Sequence, residues 1–372
     1  MERDVQRVQL LRQLMAAQGY EALVLRAPAN VLMASGYLPR QGDSFCFVRQ
    51  AGQIILLVPR EEASRASASW ADRVLIFDRL VEGVLQPAGE GALAYLRSVL
   101  GAYDRLAKIG YEHGPLAFPA YGPEASLPDG GSADILRAAG YAATWHDCAD
   151  LTEAAAMWKS AAELRRVRRA ATVAVAGLSA ARELVASGNP AGVIQGAALG
   201  AMAAAAPEDE VVPFCQVQCR DACVVVAVRV AVNGMWAAAS RTFFLGQPTA
   251  THQRDYELVG TARAAALAAI SNGVVGSEVD QAARAVFAAA GQAERFPLWT
   301  GHGVGFHAEH PLARPIIAPG SVDTLRPTMT FTLAPAAAES VVIEDTVALT
   351  GRGVEVLTDF PTELTQLTVP AA

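Results

Sequence analysis

The chain has 372 residues, more than one hydrophobic core ordinarily serves, so two domains are expected. A formal net charge of -7 and a pI near 5.5 leave no broad basic surface for phosphates, which argues against a nucleic-acid partner. No run of about 18 apolar residues occurs, because Arg229 interrupts the most apolar stretch, Val224 to Val232, so neither a membrane span nor a membrane partner is expected.

Four charged side chains among the first seven residues are incompatible with the apolar core of a secretory signal, and the cytoplasm is the expected compartment. Residues 4 to 19 read as an amphipathic helix, with Val5, Val8, Leu11 and Leu14 to Met15 near helical spacing and Gly19 as its stop. Short apolar runs at Ala22 to Leu25, Gln53 to Val58, Val74 to Phe77 and Leu106 to Gly110 alternate with helical stretches. That alternation predicts an α/β N-terminal domain over residues 1–152. The five cysteines form an odd set without framework spacing and are expected to be reduced.

From residue 153 the pattern changes to a long helical stretch opening around Ser160 and running through Ala161 to Ala186. Its arginines, Arg165, Arg166, Arg168 and Arg169, read as a solvated face, with an anion site as the alternative. Further helices are predicted over 191–205, 255–271 and 277–290, and strands over 211–232, 329–333 and 341–349. The second domain, 153–372, is therefore expected to be α+β, with helices against a mostly antiparallel sheet. Cys215, Cys219 and Cys223 lie at even spacing, so on one strand they would share a face, where small buried hydrophobes are the expected role.

Only six histidines occur, yet His302, His307 and His310 fall within nine residues. Gly301, Gly303 and Gly305 alternate around His302, which allows the backbone and a ligand to approach closely. A histidine so framed suits proton transfer or metal ligation; the alternative is a glycine-rich turn carrying solvated histidines. Glu344 and Asp345 stand inside a run that otherwise reads as a buried strand, where an unpaired carboxylate is costly, and His302 is the expected partner of Glu344.

The ordered set Trp158-Lys159-Ser160 with Glu163, Ser240-Arg241-Thr242-Phe243, Gly301-His302-Gly303-Val304-Gly305, Leu325 to Met329 and Ile343-Glu344-Asp345-Thr346 resembles the signature series of the creatinase, prolidase and methionine aminopeptidase superfamily. The segment from Arg7 through Asn30 to Tyr37 and Val58 resembles the creatinase-type N-terminal domain. The resemblance implies a creatinase-like N-terminal domain followed by a pita-bread domain, and a homodimer. In metal-dependent relatives two aspartates, a histidine and two glutamates hold two divalent ions. Carried across residue by residue, the aspartates fall on Ala227 and Ala238, the histidine on His302, and the glutamates on Ala334 and Glu344. Three of the five donors are thus methyl groups, whereas even a single zinc site normally takes three protein ligands, so no metal and no other cofactor is expected.

Only twelve residues separate Phe214 from Ala227, where relatives carry a longer proton-handling loop. The second histidine of the family pattern falls on Glu309, with His310 beside it. Two functions follow from the resemblance. The first is metal-independent acid–base chemistry on a small polar metabolite, by C–N hydrolysis or by elimination or isomerisation, with His302, Glu309, His310 and Glu344 as the catalytic set. The second is a non-catalytic pseudo-peptidase that binds a ligand or protein.

Arg40, Arg241, Trp236 and Trp299 are the candidate substrate-binding residues. In creatinase-like dimers the region matching Arg40 reaches the neighbouring subunit's site, which suits a carboxylate clamp, with a solvated loop arginine as the alternative. Arg241 reads either as a strand-supporting or a substrate-contacting arginine. The two tryptophans read as core packing or as pocket lining.

Overall fold

The computed structural model describes residues 2–40, 44–85, 88–101, 106–112, 132–139, 145–220, 223–307, 313–337, 341–364 and 368–369. The chain divides into two compact units, Met1–Ala156 and Met157–Ala372.

In the first unit Asp4 opens α1 (Val5–Ala17) by accepting from the Arg7 amide, and Gly19, at φ +74°, carries the chain out of the helix. Strands β1 (Ala22–Leu25), β2 (Phe45–Arg49), β3 (Ile54–Pro59) and β4 (Arg73–Phe77) follow. A small hairpin of β5 (Leu80–Val81) and β6 (Val84–Leu85) precedes β7 (Ile109–Tyr111) and β8 (Trp145–Asp147). The sheet order is β4-β3-β2-β1-β7-β8, with β1, β7 and β8 parallel and β2 antiparallel to both its neighbours. Helices α2 (Pro28–Ser35), α3 (Ala63–Ala66), α4 (Ala88–Gly101), α5 (Ser132–Ala138) and α6 (Ala149–Met157) complete the α/β pattern. Neither α2 nor β2 is predicted from periodicity. Almost every residue of α2 is buried, so its apolar positions show no amphipathic period to read.

In the second unit the Ser160 side chain accepts from the Glu163 amide while the Glu163 carboxylate accepts from the Ser160 amide, a capping box that starts α7 (Ala161–Ala186). Helices α8 (Ala191–Ala204), α9 (Ala250–Ala269) and α10 (Gly276–Ala289) follow. The predicted start of α9 at residue 255 is late: Thr249 accepts from the His252 amide and sets the helix going at Ala250. Arg168 and Arg169 of the basic run pair with Glu355 and Asp209, while Leu164, Val167, Ala170 and Ala171 form the buried face of the helix.

The sheet contains β9 (Val211–Arg220), β10 (Cys223–Val232), β11 (Met235–Leu245), β12 (Thr330–Leu333), β13 (Ala336–Ala337), β14 (Val341–Thr350), β15 (Gly353–Val356) and β16 (Thr368–Val369). Its main path is β12-β14-β11-β10-β9, all antiparallel, with β13 and β15 on β14 and β16 parallel to β11. Strand β10 sorts its side chains by period two. Val224, Val226, Val228, Val230 and Val232 enter the core with Ala237, Ala239, Phe243 and the α7 residues Val173, Ala174 and Leu178. Ala227 and Arg229 alternate with those valines and so belong to the opposite face. Residues of α7, α8, α9 and α10 join the valines in that core, and Ala227 and Arg229 point away from it. The sequence expectation for the cysteines is corrected here: Cys215 and Cys219 sit on β9, but Cys223 opens β10 in register with Arg220, which breaks the shared parity.

Candidate functional site

His302 lies in a segment held on both sides. The Thr332 amide donates to the His302 carbonyl at 2.8 Å, and the Gly303 amide donates to Ala313 O at 2.8 Å. Isolated bridges join Gly301 to Ile317 and Gly303 to Phe331. A Cβ at Gly301 would collide with the Thr332 carbonyl, and Gly305 sits at φ +125° with Lys159 Cε where its side chain would go. The alternating glycines are thus required by close backbone packing and by one left-handed residue.

The His302 ring is buried, with Nδ1 3.1 Å from Gly303 O. A carbonyl only accepts, so Nδ1 carries a proton in this contact; in the neutral ring that puts the lone pair on Nε2, which has no partner among the described residues.

Glu344 belongs to β14 and is directly opposite Ser240 of β11, which is in turn opposite Ala227 of β10. Ser240 Oγ donates to Glu344 Oε2 at 2.6 Å. The same oxygen forms an ion pair with Arg229 Nη2 at 2.9 Å, and Arg229 Nη1 donates to Val228 O at 3.0 Å. Arg229 is paired in register with Ala238. Both charged side chains are largely withdrawn from water, at 15% and 5% exposure. The expected His302–Glu344 hydrogen bond is therefore not formed among the described residues; the carboxylate is taken by a guanidinium and a hydroxyl.

Arg229 and Ser240 are functional candidates that sequence reasoning did not single out. A signal was present, since Arg229 is the one charge inside Val224 to Val232.

The other predicted residues separate clearly. Arg241 is fully buried and commits all five donors: Nε to Pro361 O, Nη1 to Ser240 O and Glu344 O, and Nη2 to Asp345 Oδ1 and Phe360 O. Asp345 also accepts from Arg263 Nε and from Thr358 Oγ1, so this network clamps strands together on the helix-facing side. Trp236 is buried, its amide donates to Gly305 O at 2.7 Å, and its ring lies 5.8 Å from that of Phe214. Trp299 is 36% exposed in the loop before Gly301. Arg40 is exposed in the first unit, with its amide donating to Glu62 Oε1. Glu309 and His310 lie outside the described residues.

Among the cysteines, burial pushes the Cys215 thiol up to about 11, and Cys223 Sγ lies 3.6 Å from His252 Nε2. A thiol raised that far is almost wholly protonated at neutral pH and is a poor nucleophile.

The residues do not suit a pair of divalent ions. Ala227 and Ala238 present methyls, Ala334 follows β12 with its amide on Thr300 O, and Glu344 is already neutralised by Arg229. Among the described residues no group of three or more His, Cys, Asp or Glu side chains is arranged to hold a metal ion.

The model of Metallopeptidase family M24 matches residues 211–351, and that of the Creatinase/Prolidase N-terminal domain matches residues 7–120. A "Probable dipeptidase PepE" of Mycobacterium tuberculosis is 36% identical over 137 residues, which is 35% of this chain and 35% of that protein. The matched segment thus spans about a third of the curated relative. The prolidase from Pyrococcus horikoshii superposes with a TM-score of 0.76 at 21% identity, covering 96% of this chain and 99% of that one. The N-terminal domain of FACT complex subunit SPT16 from Cicer arietinum superposes with a TM-score of 0.72 at 14% identity, covering 98% of each chain. At such identities the superpositions speak for the fold alone.

Proposed function

We propose, for a chain that belongs to the creatinase and prolidase pita-bread superfamily, a metal-independent enzyme in which His302 moves the proton. Its reaction is C–N bond hydrolysis, or elimination or isomerisation, on a small polar molecule. The supporting observation is the state of His302: buried, fixed through Nδ1 on Gly303 O, and holding Nε2 as the basic nitrogen. Nε2 accepts a proton from attacking water or from substrate and returns it to the leaving nitrogen or to carbon. Arg229 and Ser240 hold the Glu344 carboxylate in one position before substrate arrives.

Dipeptides, amides, ureas and amidines, assayed for amine release in the presence of a chelator, give the test. Chelator-resistant turnover that His302→Ala abolishes without loss of fold is the expected result. Turnover that appears only on adding manganese, cobalt or zinc, or that survives His302→Ala, rejects the reading. A cytoplasmic homodimer without cofactor completes the proposal, with Arg40 and Trp299 as substrate contacts; sedimentation of the purified chain checks the dimer.

A second reading has its own support. Glu344 Oε2 is already satisfied by two protein partners, and the edge strand β9 exposes Phe214, Gln216 and Gln218. Those features suit a pseudo-peptidase that binds a ligand or protein without turnover. Binding of a ligand unaccompanied by any chemical change would favour it.

A further inference from the structure

We infer that Arg229 is the resident cation of this site, taking over in charge what metal ions supply in the metal-bearing arrangement, so that guanidinium and metal exclude each other. This rests on the metal-free part of the reading above and not on the chemistry of His302.

Charge accounting comes first. In the metal-bearing arrangement two aspartates and two glutamates balance two dications. In this chain one carboxylate is left, Glu344, and one fixed positive charge faces it, Arg229. Counted over the metal-ligand positions and Arg229 alone, the charges balance in both arrangements. A carboxylate as withdrawn as Glu344 would otherwise lack a counter-charge, and a guanidinium stays charged throughout the accessible pH range.

Geometry comes second. Arg229 lies two residues from Ala227 on the same strand face and opposite Ala238 in register. Its Nη2 stands 2.9 Å from Glu344 Oε2, on the one ligand-position carboxylate that remains, and Nη1 stands 3.4 Å from Ser240 Oγ. The two positions beside the arginine, Ala227 and Ala238, carry methyl groups, so Glu344 is the carboxylate it meets among the described residues. The inference therefore reaches beyond missing ligands: restoring the carboxylates alone will not restore metal binding while Arg229 stays.

The test compares the wild type with Ala227→Asp/Ala238→Asp/Ala334→Glu and with the same triple variant carrying Arg229→Ala. Each is dialysed against manganese, cobalt or zinc and read by elemental analysis and by the shift in melting temperature on metal addition. The expected result is binding at least about tenfold weaker in the triple variant than in the quadruple one, because a positive charge stays on the Glu344 carboxylate. Equal binding by the two overturns the inference and leaves the metal-free reading of the wild type standing. Stoichiometric metal in the wild type overturns both.

Where the restored variants do not fold, the wild-type background decides. Arg229→Lys is expected to retain most of the melting temperature. Arg229→Met is expected to lose it and to recover on adding Glu344→Gln. An Arg229→Met variant as stable as the wild type overturns the inference.

Discussion

Breaking the Arg229–Glu344 pair from one side is the most informative perturbation of stability. The two side chains are 15% and 5% exposed with N···O at 2.9 Å, so water screens them little. Unit charges about 4 Å apart at an effective dielectric of about 20 attract by about 4 kcal/mol, and removing one partner of a buried pair typically costs about 3–5 kcal/mol. Arg229→Met leaves the carboxylate, among the described residues, with the Ser240 hydroxyl; Glu344→Leu takes the carboxylate partner from a guanidinium that is 15% exposed. Each variant is expected to lose about 3–5 kcal/mol, a fall in melting temperature of roughly 6–20 °C for a unit of this size.

The double variant is expected to lose less than either single one, because two apolar groups replace a pair whose desolvation was already costly. Calorimetry of the four proteins, with the transition of the second unit resolved from that of the first, completes the cycle. Single losses under about 1 kcal/mol, or losses that simply add in the double variant, would refute the pairing argument.

Arg241→Met should destabilise the second unit by about 3–5 kcal/mol, since it removes one of the two guanidinium partners of the buried Asp345 and the donors to four backbone carbonyls; a shift under about 1 kcal/mol in denaturant titration would contradict the clamp. The hydrogen bonds from Arg168 hold the Glu355 carboxyl below its ordinary range. Its folded form releases the proton more readily, so the pair's stabilisation is present above the ordinary glutamate value and is lost as pH falls through the depressed one. Both groups are about two-fifths exposed, which limits the effect to under about 1 kcal/mol; Glu355→Gln should remove that much at pH 7 and nothing at pH 2 in parallel unfolding curves.

What was legible in the sequence was the part written locally. The glycine frame of His302 and the acidic pair at Glu344 and Asp345 stand out because each breaks the chemistry of its surroundings. The α/β and α+β patterns follow from period and turn residues, and α7 begins where Ser160 and Glu163 make a capping box. Strand β11 was less readable: its alanines favour helix, and burial on both faces erases alternation. The partnership of Glu344 was not readable at all. His302 looked like its partner because both were conspicuous, yet the partner is set by register across β10, β11 and β14, which only the folded sheet fixes. Arg229 was conspicuous too, but as an interruption of an apolar run it spoke first about membranes.

Elemental analysis of the purified chain, expressed with manganese, cobalt and zinc supplied and paired with dipeptide hydrolysis with and without a chelator, tests the central claim most directly. No metal near stoichiometry and no activity that a chelator suppresses are the expected results. One or two dications per chain together with chelator-sensitive cleavage would contradict it.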